Sequence, residues 1–187
     1  MNTSTTIIRR VRTEDWQRLR DIRLDALQDP VAAVAFLETY EQAAARPDEF
    51  WQDRTTRAAT DPHVAQFVAQ AEDGRWLGSM TGLVERAGGD GALEGDVVEV
   101  DQVHVVGVYV RPEARGTGLA LDLLRTVQEW AWSLTEPRIE RVRLFVHEDN
   151  PRAEAMYRKA GFEHSGVALP VPGGGGGREI ELAVPRG

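Results

Sequence analysis

No cysteine occurs among the 187 residues. That absence excludes disulfides, Cys-ligated zinc, iron–sulfur clusters and a catalytic thiol. Long apolar runs are missing as well. Residues 31–36 fall far short of the ~20 apolar residues that a membrane span needs. Residues 1–12 have neither the apolar core nor the small-residue cleavage site of a signal peptide. A cytoplasmic protein without membrane association is therefore expected. Basic charge is scarce: 22 Lys and Arg stand against 30 Asp and Glu, a formal net charge of −8. A general nucleic-acid binder needs a basic footprint, so no nucleic-acid partner is expected. Lys159 is the single lysine, which reflects codon usage rather than chemistry.

What remains is an ordinary globular composition, with 42% hydrophobic and 28% charged residues. The length suits a single domain over residues 1–187, able to bury about 70% of its unfolded surface. The acidity is not evenly spread. Residues 61–110 hold 9 acids and 2 bases, whereas residues 111–187 hold 11 of each.

Periodicity gives an α/β order. Residues 7–11 are a short β-prone run. Thr13-Glu14-Asp15 reads as a helix start, with the threonine hydroxyl as cap. Trp16, Leu19, Ile22, Arg23, Ala26 and Leu27 recur at helical spacing up to Asp29-Pro30. Residues 31–46 read as loop or short helix, and Pro47 opens a second helix over 48–59. Two strands, 63–71 and 75–84, flank Glu72-Asp73-Gly74, a hairpin signal. Residues 85–101 are glycine-rich and acidic. Residues 102–110 read as a strand buried on both faces. The turn RPEARGTG leads into a helix over 119–134. A strand at 141–146 follows, then Asn150-Pro151 as cap and first helical residue, with Gly161 as C-cap. Strands 162–171 and 178–184 close the chain around a run of five glycines, expected as a mobile connection. The order is β-α-α-β-β-β-α-β-α-β-β, a mixed sheet with some parallel pairing after Val110.

One turn carries chemistry. Arg115-Gly116-Thr117-Gly118-Leu119-Ala120 lies between a buried strand and a helix. Glycines let backbone amides approach a ligand, and the helix start favours an anion. A phosphate cradle and a plain tight turn both fit. A Walker loop is excluded because Gly-Lys-Ser/Thr is absent, and a dinucleotide fingerprint because the third glycine is missing and the turn comes late.

This turn, together with Asn150-Pro151-Arg152-Ala153-Glu154-Ala155-Met156-Tyr157-Arg158-Lys159-Ala160-Gly161-Phe162, resembles the GCN5-related N-acetyltransferase (GNAT) superfamily. The resemblance is motif-grade over about residues 102–163. It implies a GNAT-like acyl-CoA N-acyltransferase fold and acetyl-CoA as co-substrate. Arg115, Gly116, Thr117, Gly118, Leu119 and Ala120 would hold the pyrophosphate, with Arg115 adding charge. The backbone of Val108, Tyr109 and Val110 would pair with the pantetheine arm as an added strand, and Asn150 would belong to the same binding region. Gly107 falls where the family often carries a bulge, and a glycine within a strand fits a bulge on local grounds too. Tyr157 matches the family's usual general acid. His104 falls where many relatives carry a glutamate; it could take the amine proton, with Asp101 and Glu99 as alternatives. His104 is read as sharing strand parity with Val106, Val108 and Val110. No metal is expected, since His147-Glu148-Asp149 are adjacent residues that do not converge.

The expected reaction is acetyl transfer to a primary amine by direct attack in a ternary complex, since no thiol exists to carry the acyl group. Glu85, Asp90, Glu94, Asp96, Glu99 and Asp101 against Arg86 alone suggest a small cationic acceptor. Alternatives are a protein N-terminal or lysine acetyltransferase and a non-catalytic acetyl-CoA-binding module. Phe36, Glu38 and Tyr40 lie in the segment that often covers the acceptor in this superfamily. A homodimer is a further expectation; the Trp130/Trp132 pair would suit an interface, although a core role is expected for Trp130.

Overall fold

The fold is described by a computed structural model over residues 6–174 and 176–187. The expected hairpin is present: β2 (Val64–Gln70) and β3 (Trp76–Glu85) pair antiparallel, and the Ala71 amide donates to the Arg75 carbonyl across the turn. β1 (Ile7–Arg10) adds to the outer edge of β2, and β4 (Gln102–Val110) to β3, both antiparallel. β4 then pairs in parallel with β5 (Arg141–His147), the crossover that the strand–helix–strand order called for. β6 (Glu163–Pro170) folds back on β7 (Arg178–Pro185), and β7 inserts beside β5. The seven-stranded sheet reads β1-β2-β3-β4-β5-β7-β6. The glycine run joins β6 to β7; the expectation of a mobile connection falls in part on residue 175, outside the described residues.

Each face of the sheet carries its own helices, because strands apolar on both sides need cover on both. On one face lie α5 (Leu119–Ser133) and α6 (Pro151–Lys159), where Leu123, Leu124, Val127 and Tyr157 pack on Val103, Val105, Val142 and Leu144. On the other lie α1 (Trp16–Leu27) and α4 (Asp48–Thr60), where Leu19, Ile22 and Trp51 pack on Val68 and Tyr109. Residues 31–46, read as loop or short helix, form two short helices, α2 (Ala32–Ala35) and α3 (Tyr40–Ala44).

Local signals account for most boundaries. Asn150 accepts from the Ala153 amide at 3.3 Å and starts α6, and Gly161 ends it at φ +91°. The start of α1 differs from expectation. Thr13 caps nothing; the Asp15 carboxylate accepts from the Arg12 amide at 2.8 Å and from Arg9 at 2.7 Å. A carboxylate bound to a guanidinium makes the stronger charge-assisted bonds. Trp130 and Trp132 are not a bare interface pair. Trp130 lies half-buried over Gly82, where a Cβ would come within 2.6 Å of its ring, and Trp132 is stacked by Arg186. Among the described residues no helix is long and apolar enough to cross a membrane.

Candidate active site

The site begins where the sheet opens. β4 runs to Val110 and β5 to His147, yet they pair only over Gln102–His104 and Arg141–Arg143. The cause is a bulge. On β3, Ser79 faces Tyr109 and Thr81 faces Val106, so three steps on β4 match two on β3. Gly107, at φ +61°, takes the left-handed conformation that the extra residue needs and that a side chain would strain. Beyond it, the backbone of Val108, Tyr109 and Val110 has no strand partner on the β5 side among the described residues. An open strand edge can accept an extended ligand as an added strand.

The bulge corrects one sequence expectation. It shifts the alternation, so Val108 and Val110 pack with the α5 face while Tyr109 packs with the α1 face. His104 precedes the bulge, on the face opposite Val103 and Val105. It therefore shares a face with Tyr109, not with Val108 and Val110.

Next to the open edge lies the glycine turn. Gly116 and Gly118 have φ of +78° and +91°, and a Cβ built on either would meet nothing within 4 Å. The amides of Gly116, Thr117, Gly118, Leu119 and Ala120 bond no described backbone acceptor, while the Leu121 and Asp122 amides are taken by the Gly118 carbonyl. Five free N–H groups at the start of a fifteen-residue helix form an anion cradle open on the ligand side. These residues fit a pyrophosphate. Arg115 serves differently than expected. Its guanidinium donates to the Asp29 carboxylate and to the Val110 carbonyl, so it fastens the turn to the end of α1 instead of standing free beside the cradle. Asn150 likewise gives its carboxamide oxygen to the α6 cap.

Tyr157 is 6% exposed, and its hydroxyl makes no hydrogen bond to a described residue. Burial raises its pKa well above the ordinary phenol value, and the nearby Glu179 carboxyl adds to the rise. Its hydroxyl therefore stays protonated across the physiological range. His104 is 4% exposed, edge-on to Phe145, and its Nδ1 lies 3.0 Å from Glu85 Oε1. Burial alone would raise the Glu85 carboxyl, but bonding to His104, the Arg143 charge and the Gln102 amide hold it below its ordinary value. An ionised carboxylate only accepts, so Nδ1 carries the proton of this hydrogen bond. Glu85 is thus an orienting partner, nineteen residues before His104 in sequence.

The acidic middle segment also changes meaning. Arg143, fully buried, donates to Glu85 at 2.8 Å, to Asp96 at 2.7 Å and to Glu181 at 2.8 Å. Asp101 accepts from the Ala87 amide and lies 3.6 Å from Arg86. Two of the six acids expected to attract a cation, Glu85 and Asp96, are therefore engaged inside the protein, and Asp101 is paired with Arg86 at the surface. On the α1 face the bulge meets a narrow crevice lined by Arg23, Arg54, Gln66, Ser79 and Thr81. None of these five is marked by a motif. The signal for three of them was available as polar residues at alternate positions of apolar strands.

Comparison with known proteins agrees with this geometry. The model of the acetyltransferase (GNAT) family matches residues 16–162. Among solved structures, the PaiA N-acetyltransferase from Thermoplasma acidophilum in complex with coenzyme A is 16% identical, with 97% of this chain and 99% of that chain covered and a TM-score of 0.70. The Arabidopsis thaliana NAA60 in complex with a bisubstrate analogue is 16% identical, with 98% and 100% covered and a TM-score of 0.69. A spermidine N-acetyltransferase SpeG chimera from Vibrio cholerae and hSSAT is 14% identical, with 97% and 96% covered and a TM-score of 0.67. At these identities the likeness is one of fold.

Proposed function

The chain belongs to the acetyltransferase (GNAT) family, whose members are acetyl-CoA-dependent N-acetyltransferases, and we propose that it transfers the acetyl group to the primary amine of a small acceptor by direct attack. The observation that carries this reading is the free edge of β4 beside five unbonded amides. Together they offer backbone pairing for an extended pantetheine arm and a cradle for its pyrophosphate. Acetyl-CoA supplies the activated acyl group; the rest of the chemistry falls to the chain's own side chains.

The His104 Nε2, its tautomer fixed by Glu85, takes the proton that the attacking amine must lose. A backbone N–H at the Gly107 bulge polarises the thioester carbonyl in the manner of an oxyanion donor. The Tyr157 hydroxyl returns a proton to the departing sulfur. A new C–N bond replaces the C–S bond, and one proton passes from amine to thiolate, so no redox partner is required. The zero cysteine count supports direct attack over an acyl-thiol intermediate. The neighbour named for spermidine widens the acceptor range to be tested to polyamines.

The test is release of free thiol from acetyl-CoA with a panel of primary amines. Tyr157→Phe should lower kcat by about 10–100-fold, the modest end of general-acid effects because a thiolate of pKa ~8.5 leaves readily. The acetyl-CoA KM should move little. An unchanged kcat removes Tyr157 from the mechanism. No thiol release with any amine, despite a thermal shift by acetyl-CoA, favours the non-catalytic module.

A further inference from the structure

The chain is acidic overall, but the crevice under the β4 bulge is not. Arg23 donates to Glu38 through Nε at 3.2 Å and Nη2 at 3.0 Å, and stacks over Phe36 at 4.6 Å. Arg46 reaches the same carboxylate at 4.0 Å and stacks over Phe50 at 4.7 Å. Arg54, half-buried on α4, makes no hydrogen bond or ion pair with a described residue. Arg23 and Arg46 thus share the one carboxylate of Glu38, and Arg54 is left without one. Arg23 and Arg54 line the crevice together with Gly107, next to the bulge where acetyl transfer is assigned, whereas Arg46 and Glu38 line a separate pocket; the Arg54 charge is the one left without a partner. The crevice walls are polar as well. Gln66, Ser79 and Thr81 are each at most 7% exposed, and the one bond within that group is a long Gln66–Ser79 contact of 3.5 Å. Asp25 and Asp29, toward the C-terminal end of α1, are held by Arg111 and Arg115.

A half-buried guanidinium without a partner is costly, and its planar fork matches a carboxylate. Burial lowers the Arg54 pKa, with Arg23 and Arg46 adding to the fall and Glu38 opposing it, as an unmet positive charge requires. We propose that Arg54 is a specificity residue of the acceptor site and that the acceptor is a small primary amine bearing a carboxylate, clamped by Arg54 while its amine faces the Gly107 bulge. This rests on the acetyltransferase reading above. It replaces the cationic acceptor, whose acids are in part consumed by Arg143 and Arg86.

The test compares acceptors that share one skeleton: an L-amino acid, its amide and its decarboxylated amine. The wild-type protein should favour the carboxylated acceptor in kcat/KM. In Arg54→Gln that preference should shrink by about 10–100-fold, the worth of a lost bond between charged groups, and should appear in KM. Arg54→Lys should keep part of it. Arg57→Gln, on the exposed side of the same helix, should leave the ratio where it is. A wild-type preference for the decarboxylated amine or for spermidine, or an unchanged ratio in Arg54→Gln, overturns the proposal. Binding provides the separate readout. With CoA present, an N-acetyl amino acid should raise the Tm of the wild type and not of Arg54→Gln. If no amine is acetylated but this shift persists, the catalytic reading fails and the Arg54 assignment stands. No shift in the wild type overturns the assignment.

Discussion

Glu179 combines a modest local position with a large electrostatic one. It sits opposite His147 in the β5–β7 register, and burial raises its carboxyl above the ordinary value while His147 pulls it back. It also contributes to the raised hydroxyl of Tyr157. A carboxyl whose pKa is raised on folding binds more protons folded than unfolded. Its contribution to stability is therefore complete below the unfolded value of ~4.3 and declines as pH rises through the folded one. Glu179→Gln should raise Tm at pH 8 relative to wild type, with the two melting curves converging near pH 4. Scanning calorimetry across that range checks it, and a difference independent of pH would count against it. Nothing local in the sequence marks Glu179. Its neighbours are set by β7 inserting between β5 and β6, a long-range pairing. Tyr157, Asn150 and the glycine turn were legible because motif and local geometry coincide. His104 was legible as a residue but not as a pair, because Glu85 lies on another strand and the Gly107 bulge alters the alternation.

At the scale of elements, the donor turn and α1 are joined by two struts. Arg111 reaches Asp25 at 2.6 Å and Arg115 reaches Asp29, four residues on along each segment. Each arginine also donates through Nε to a sheet carbonyl, Arg111 to Trp76 and Arg115 to Val110. The turn that presents the free amides is thereby held against the helix that walls the acceptor crevice. Asp29→Asn should weaken acetyl-CoA binding although Asp29 lies just past the end of α1 rather than in the cradle. Arg115→Gln should do the same, and the double variant should be no worse than either alone, with about 3–10-fold in Kd for residues so coupled. Calorimetric titration of the three variants decides it. If Asp29→Asn tightens binding, the freed Arg115 serves the phosphate and the strut reading is wrong. Helices α1, α4, α5 and α6 were readable from periodicity and caps, since those signals are local. The struts were not, because 86 residues separate their partners.

Across the whole molecule, Arg143 gathers carboxylates from three places: Glu85 on β3, Glu181 on β7 and Asp96 from the segment before β4. Burial would raise the carboxyls of Glu85 and Asp96, but their bonding within this cluster holds both below their ordinary values. The Arg143 guanidinium, which burial alone would depress, is held above its usual value by the same bonds. Two of the nine acids of residues 61–110, Glu85 and Asp96, are therefore internal structure, so the net charge of −8 overstates the charge this segment offers an acceptor. A depressed carboxyl contributes stability that is present above its unfolded value and lost as pH falls through the folded one. This is the reverse of Glu179, and Asp15 adds to it: burial alone would raise its carboxyl, but its bonds to Arg9 and the Arg12 amide hold it low. The protein should therefore lose stability steeply on acidification below pH ~4, where carboxyls of ordinary pKa protonate. Arg143→Met should cost about 3–5 kcal/mol at pH 7, because Glu85 and Asp96 lose their arginine and Glu181 keeps only Arg141. The same variant should be less acid-sensitive, since protonation relieves the carboxylates it has stranded. Urea unfolding of both proteins from pH 7 down to pH 3 should give stabilities that approach each other as pH falls. Parallel curves would mean that the cluster contributes packing alone, and that the acid response originates elsewhere on the surface.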